Sequence, residues 1–398
     1  NAKIVSKIKQ MDPNIELKLD DVSATLDIFN LSINAKTIGS DLIFKDRIIK
    51  IETIKTNISL KSFINDKFAI SGISISTKSL KIKDLITFIR ILNKDPKLFI
   101  AEKFIKNGFL VADLKLEFDE LGKIKNNYVF NGLIRDGKIS ILKKYDLDKV
   151  DLNFKITREN SEFNNIKFFL NNQNIYIPKI IGLKKDKGYL ISGELNTLET
   201  KLTKDEINVL IDNDFLNSNI EEVSLNSQNK FGFIISKNLK INNLNIKSEI
   251  KLDELKLNNL TDLKNIFPKI QKDLIFKNQK LKVEYKKNYL SILGSGDILF
   301  QNELDQINYE IYKNKNKINF YTKLDISKNP VHLEFLNYKK SKNSNLELIF
   351  KGKNSDNNKL VFNEISLKEK NNLISIKELE LSNKEKIDSL DRINLNYV

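Results

Sequence analysis

The sequence predicts a mainly β fold: an elongated, curled antiparallel sheet whose apolar face forms a groove, with a few short helices inserted. Three observations carry this expectation. Apolar and polar residues alternate with a period of two over nearly all of the 398 residues, the pattern of strands with one greasy and one wet face. Turn signals punctuate the alternation at hairpin spacing: DELGK at 119–123, RDGK at 135–138, KKDKG at 184–188 and SDNN at 355–358. With 5 Pro, 13 Gly and no Pro-rich or Gly/Ser-rich tract, nothing reads as a linker, so the organisation is expected to be continuous.

The elements follow in order. In TNISLKSFINDKFAISGISISTKSLKI, residues 56–82, Ile58 and Leu60, then Phe68 and Ile70, then Ile73 and Ile75 mark successive strand faces. Residues 83–107 break the rhythm, with Leu85, Ile86, Ile89 and Leu92 at helical spacing. Alternation returns in Leu114, Leu116 and Phe118, and in Val150, Leu152, Phe154 and Ile156. It persists through Leu281, Val283 and Tyr285, Ile307, Tyr309 and Ile311, Leu346, Leu348 and Phe350, and Ile374 with Ile376. Thr203 with Glu206, and Thr261 ahead of Leu263, read as helix N-caps. The expected organisation is therefore an N-terminal β region over 1–82, a helical insert over 83–107, and a repeating antiparallel groove over 108–398 with short helices near 202–213 and 262–275.

About twenty such strands exceed the roughly ten that an open twisted sheet holds before it curls or splits. Curling turns the apolar face into the inside of a trough, on the order of 100 Å long at about 4.8 Å per strand. The apolar face is assigned Ile58, Leu60, Phe68, Ile70, Leu114, Leu116, Phe118, Val150, Leu152, Phe154 and Ile156. A chain of two or three separate sandwiches is the competing arrangement.

Little chemistry is on offer. There is no Cys, so no disulfide framework or thiolate metal site is possible. The only His is His332, in VHLEF, where alternation with Val331 and Leu333 places it towards solvent. With Glu334 it makes a two-ligand pattern, too little for a metal site. GSGD at 294–297 is followed by ILF rather than Lys-Ser/Thr, so it reads as a bulge or bend and not a phosphate loop. Carboxylates are plentiful, but spacing selects no catalytic pair. The expectation is a non-enzyme with no cofactor and no metal.

Lys+Arg of 67 against Asp+Glu of 52 leaves +15, compatible with nucleic acid, an anionic membrane surface or acidic partners. Joint over-use of Lys, Asn and Ile, as in an AT-rich genome, accounts for much of it. Lys is spread evenly among Asp and Glu with no dense basic run, which argues against nucleic acid. No run of about 18 apolar residues exists to span a bilayer. The chain opens on Asn1 rather than Met, which suggests a processed or excerpted chain and leaves room for an anchor ahead of it.

The order in residues 18–82, from KLDDVSATLD to STKSLKI, with the step SLKSFI at 59–64 and the strand FAISGISI at 68–75, resembles the N-terminal region of the AsmA-like proteins, the group containing TamB and YhdP. VFNGLIRDGKISI at 129–141, DLDKVDLNFKI at 146–156 and YLISGEL at 189–195 resemble the recurring strand, turn and strand of that family. The resemblance covers residues 15–200. It implies a taco-like repeating β-groove, an inner-membrane anchor at the N-terminus, a periplasmic body, and a role in moving phospholipid towards the outer membrane or keeping that membrane intact. The implied partners are phospholipid or another acyl-chain lipid, the membrane through the absent anchor, and envelope proteins. This chain departs from the family in lacking the N-terminal spanning helix and in being short beside its large members. The alternative is a non-catalytic structural or partner-binding β-scaffold of the cell envelope.

Overall fold

The period-two alternation is realised almost throughout. The computed structural model describes residues 15–44, 47–65, 69–92, 102–141, 145–170, 173–186, 188–206, 220–236, 238, 240–258, 264–334, 337–341, 344–354, 359–382 and 386–396. Within them lie 25 strands, 23 in one antiparallel sheet and two short ones paired apart. The chain divides into two compact units, residues 1–193 with 235–239, and residues 194–234 with 240–398. Each is taken in turn.

The first unit contains β1 (Ile15–Lys18), β2 (Asp21–Asp27), β3 (Ser32–Ile38), β4 (Asp41–Phe44), β5 (Arg47–Ser59), β6 (Ile70–Thr77), β7 (Leu80–Lys81), β8 (Ile105–Glu117), β9 (Val129–Ile141), β10 (Tyr145–Ile156), β11 (Asn160–Leu170) and β12 (Gln173–Lys185). Two helices interrupt them, α1 (Leu60–Ile64) and α2 (Ile82–Leu92). Neighbours in sequence mostly pair as hairpins, while β3 with β5 and β6 with β8 pair across an intervening element. Ser59 caps α1 by accepting from Ser62 N at 3.2 Å. Leu60, expected on a strand face, is instead the first residue of that helix.

Of the expected helical insert 83–107, α2 ends at Leu92, 93–101 lie outside the described residues, and β8 begins at Ile105 after one helical turn at 102–104. α2 is held by its apolar stripe: Ile82 and Ile86 are buried against Leu110, Ala112 and Phe154 of the sheet.

β13 (Gly188–Thr203) and β14 (Ile220–Ser236) begin in one unit and end in the other. The second unit continues with β15 (Ile241–Asn258), β16 (Asp273–Lys286), β17 (Tyr289–Leu299), β18 (Leu304–Asn314), β19 (Lys317–Ile326), β20 (His332–Leu333), β21 (Tyr338–Lys339), β22 (Leu346–Asn354), β23 (Leu360–Glu369), β24 (Asn372–Ser382) and β25 (Lys386–Asn396). From β15 to β19 each strand pairs with the next. β19 then skips the β20–β21 hairpin to pair with β22, and the order runs on to β25.

Where a helix was expected near 202–213, β13 runs to Thr203 and one helical turn follows at 204–206, with 207–219 outside the described residues. Thr203 does meet Glu206, its backbone N–H donating to the carboxylate at 2.9 Å. Near 262–275 the helix is replaced by turns and bends over 264–272 and by the start of β16, and Thr261 lies outside the described residues. Ile266, Phe267 and Ile270 there serve the core rather than a helical stripe.

One turn signal, RDGK, and the bulge or bend expected at GSGD prove to be something else. RDGK at 135–138 lies inside β9, where Asp136 has φ 49°. It is one of a line of bulges, with Lys149 of β10 (φ 51°) and Asn165 of β11 (φ 53°), at which the registers slip. Bulges of this kind bend and twist a sheet locally. Asp151 clamps the site, accepting from Arg135 at 3.0 Å and from Asp136 N at 3.0 Å. GSGD at 294–297 lies in regular β17, and the bulge is on its neighbour β16 at Asn278 (φ 52°). SDNN at 355–358 lies outside the described residues, while DELGK forms a turn and KKDKG falls where β12 ends and β13 begins, with Asp186 in a turn and residue 187 outside the described residues.

The glycines of β17 are there for space. A Cβ on Gly294 would stand 2.2 Å from the Tyr309 ring. Gly294→Val is expected to lower thermal or denaturant stability by roughly 1–3 kcal/mol through overpacking. Unfolding curves of the two chains check it, and an unchanged midpoint would refute the packing assignment.

Candidate functional site

Register turns alternation into continuous rows of side chains running across the strands on one face of each sheet segment. In the first unit one row is Ile33, Ile58 and Ile70, a second Ala35, Thr56, Ile73 and Leu116, and a third Thr37, Ile54, Ile75, Leu114, Phe130 and Ile156. Further along come Ala112, Gly132, Phe154, Phe163 and Ile180, then Leu80, Leu110, Ile134 and Leu152. α2 covers the last two rows, while the rows from Ile33 to Leu116 have no buried member at their centres.

The second unit repeats the arrangement on a larger scale. Ile307, Leu324, Leu348, Leu367 and Ile374 form one row across β18 to β24. The next is Ile250, Leu281, Gly294, Tyr309, Thr322, Phe350, Ile365, Ile376 and Ile393, and the next Val283, Ile292, Ile311, Phe320, Gly352, Phe362, Leu379 and Leu390. The first of these rows is closed over. The 264–272 turns and a strap formed by 327–334 and 337–341 bring Phe267, Val331 and Tyr338 down onto it, and Ile326 and Leu346 reach 0% exposure.

Away from the strap the cover ends. Ile292, Ile311, Phe320, Phe350, Ile365, Ile376 and Leu379 are all only half-buried, and Leu390, Ile393 and Leu395 on β25 are exposed. The aromatic rings among them pack edge to face, Phe320 on Phe362 at 5.7 Å and Phe276 on Tyr309 at 6.4 Å. Burial pushes the Tyr309 hydroxyl up to about 12, so this face carries no charge from it at neutral pH. The result is an apolar surface several strands wide that nothing in the chain covers among the described residues.

The other face is wet and charge-paired. Lys323 bridges to Glu347 at 2.6 Å, Lys256 to Glu221 at 2.9 Å and to Asp273 at 3.1 Å, and Lys286 to Glu284 at 2.7 Å. Those hydrogen bonds hold Glu221 and Glu284 below the usual carboxylate range and raise Lys256 and Lys286.

The strap is fastened by two buried carboxylates that the alternation did not single out. Glu369 Oε2 accepts from the Tyr338 hydroxyl at 2.7 Å, and Oε1 from Ser341 N at 2.9 Å and from the Ser344 hydroxyl. Burial pushes its carboxyl up, and the bonds from Ser344, Tyr338 and Ser341 outweigh that and leave it below its ordinary value. Asp305 accepts from Asn329 at 2.6 Å and Ser327 N at 3.1 Å, yet burial wins and its carboxyl is raised. Both stand on the apolar face at the strand ends, Asp305 opposite Ile298 and Glu369 opposite Leu346. That placement is the sequence signal that betrays them.

The residues assigned to the apolar face from sequence distribute as follows. Ile58, Ile70, Leu114, Leu116 and Ile156 are half-buried in the rows above, and Leu152 and Phe154 share rows beneath α2. Val150 is buried opposite Gly137 beside the bulge. Phe118 is half-buried in a bridge to Ile124, Leu60 belongs to α1, and Phe68 lies outside the described residues. His332 is half-buried in the strap, its backbone N–H donating to Ile266 O at 3.0 Å. Among the described residues no group of three or more His, Asp or Glu is placed to hold a metal, and no helix is long and apolar enough to cross a membrane.

No protein-family model, curated protein or solved structure matches the chain.

Proposed function

We propose that the chain is an AsmA-like periplasmic protein, anchored to the bacterial inner membrane in its full-length form. In this reading it binds phospholipid through the acyl chains, conducts it between the inner and outer membranes without catalysis, and so supports outer-membrane biogenesis and integrity. The observation that carries the reading is the uncovered apolar face of the second unit, with the half-buried rows through Ile311 and Phe320. An acyl chain leaving a bilayer for water loses about 0.8 kcal/mol per CH₂, roughly 12 kcal/mol for sixteen carbons. A sheet face of this width offers apolar contact along the chain and lowers that barrier.

Phospholipid is expected to co-purify with the protein, detected by mass spectrometry of a solvent extract. A folded, lipid-free preparation that also takes up no fluorescent fatty acid would remove the lipid role. That outcome would leave the second reading, a partner-binding scaffold of the envelope, which the exposed Leu390, Ile393 and Leu395 of β25 favour. Among the described residues β25 pairs only with β24, so its other edge is open to a partner strand.

A further inference from the structure

Ion pairs fasten parts of the wet face, and one row of the first unit instead gathers three lysines with none among the described residues. Ser23, Lys36, Lys55, Ser74 and Lys115 stand opposite one another in register across β2, β3, β5, β6 and β8. Three lysines therefore share one row, with Lys36 and Lys55 directly opposed, an arrangement that destabilises a sheet unless something neutralises it. No carboxylate among the described residues is within ion-pairing distance of any of the three. Of the acids in the two adjoining rows, Glu117 is already taken by Asn127 at 2.7 Å and Lys125 at 3.9 Å, and Asp21 and Asp113 flank the row on its other side without pairing to a lysine of it.

The neutral groups beside the row also end in donors. Ser71 donates its hydroxyl to Asn57 Oδ1 at 2.6 Å, and Asn57 Nδ2 donates to Asn34 Oδ1 at 2.8 Å. That leaves the Asn34 amide N–H₂ with no acceptor among the described residues. These side chains line an open cavity of about 600 Å³, so cations and a donor face the same space. Directly opposed residues lie roughly 5 Å apart and alternate strands roughly 10 Å apart, which suits an anion with more than one charged group.

We propose that Lys36, Lys55 and Lys115, with the Asn34 amide, form a binding site for a multiply charged phosphate ligand on the wet face of the first unit. The ligand chemistry is two or more phosphate oxygens spread across neighbouring strands, each taking a charge-assisted hydrogen bond from a lysine. A free oligophosphate and the phosphates of a lipid headgroup both supply it. The site is independent of the apolar face, which lies on the opposite side of the same strands.

Calorimetry with tripolyphosphate at 150 mM salt, alongside co-sedimentation with phosphatidylglycerol vesicles and phosphatidylcholine vesicles, tests it on the whole chain. The variant is Lys36→Gln, Lys55→Gln and Lys115→Gln together. The control, Lys351→Gln, Lys368→Gln and Lys377→Gln, removes the same charge from the wet face of the second unit, at lysines that each stand opposite a glutamate. All six side chains have solvent access, and circular dichroism checks folding. The expected result is at least a tenfold loss of tripolyphosphate affinity in the variant and under twofold in the control, which assigns a free oligophosphate. The same selective loss confined to phosphatidylglycerol vesicles supports the site with a headgroup as the source. Equal losses in variant and control, or no binding of either probe by the native chain, would overturn it.

Discussion

Replacing Ile311 by Glu and Phe320 by Lys together is expected to weaken acyl-chain binding at least tenfold, about 1.4 kcal/mol, while the chain stays folded and β-rich. The two residues stand directly opposite on β18 and β19 in a half-buried row of the uncovered face. The new charges can pair with each other across the strands, which limits the cost to the sheet. An acyl chain lying over them would have to bury both charges. The control is one residue away: Tyr312 and Asn319 are also directly opposed but face water on the other side. Tyr312→Glu with Asn319→Lys is expected to leave fatty-acid uptake unchanged. Equal effects from the two pairs would show that the face is not what binds.

Glu369→Ala is expected to destabilise the second unit by on the order of 3 kcal/mol, because the donors of Tyr338, Ser341 and Ser344 lose one shared buried acceptor. Glu364→Ala, on the same strand but half-buried and without such partners, is expected to stay within about 0.5 kcal/mol. The acid dependence has a definite sign. The folded Glu369 carboxyl lies below its ordinary value of 4.5, so its stabilisation is complete above that value and is lost as pH falls through the folded value. Asp305 acts in the opposite sense. Its raised carboxyl takes up a proton more readily folded than unfolded, so the cost of its charge disappears as pH falls through the raised value. Below pH 4.5 the native chain is therefore expected to lose melting temperature more steeply than Glu369→Ala. Parallel pH profiles would contradict the assignment of Glu369 as the fastening.

Much of the fold was legible because one face of each strand meets water and the other does not. Leu114 and Leu116, and Leu152, Phe154 and Ile156, announce their strands and their common face by spacing alone. What the spacing does not encode is which rows are covered. Phe154 and Leu116 read alike in sequence, yet α2 lies over one and not the other. The bulges were misread because Asp-Gly at 136–137 satisfies the same positive φ in a hairpin turn and in the middle of a strand. The strap was missed because its two strands are two residues each, too short to show a period. The lysine row could not be seen at all before register was known, since Lys36, Lys55 and Lys115 are brought together only by pairing across β3, β5, β6 and β8.

The chain contains no Trp, which allows the most direct measurement. A single Trp placed at Phe320 reports from the uncovered face, and one placed at Tyr321 reports from the other side of the same strand. Each variant is titrated with a fatty acid brominated along its chain, and Trp fluorescence is followed. If acyl chains lie on the apolar face, Phe320→Trp is quenched saturably and Tyr321→Trp is not. Equal quenching of the two, or none at Phe320→Trp, would contradict the central claim that this face receives lipid.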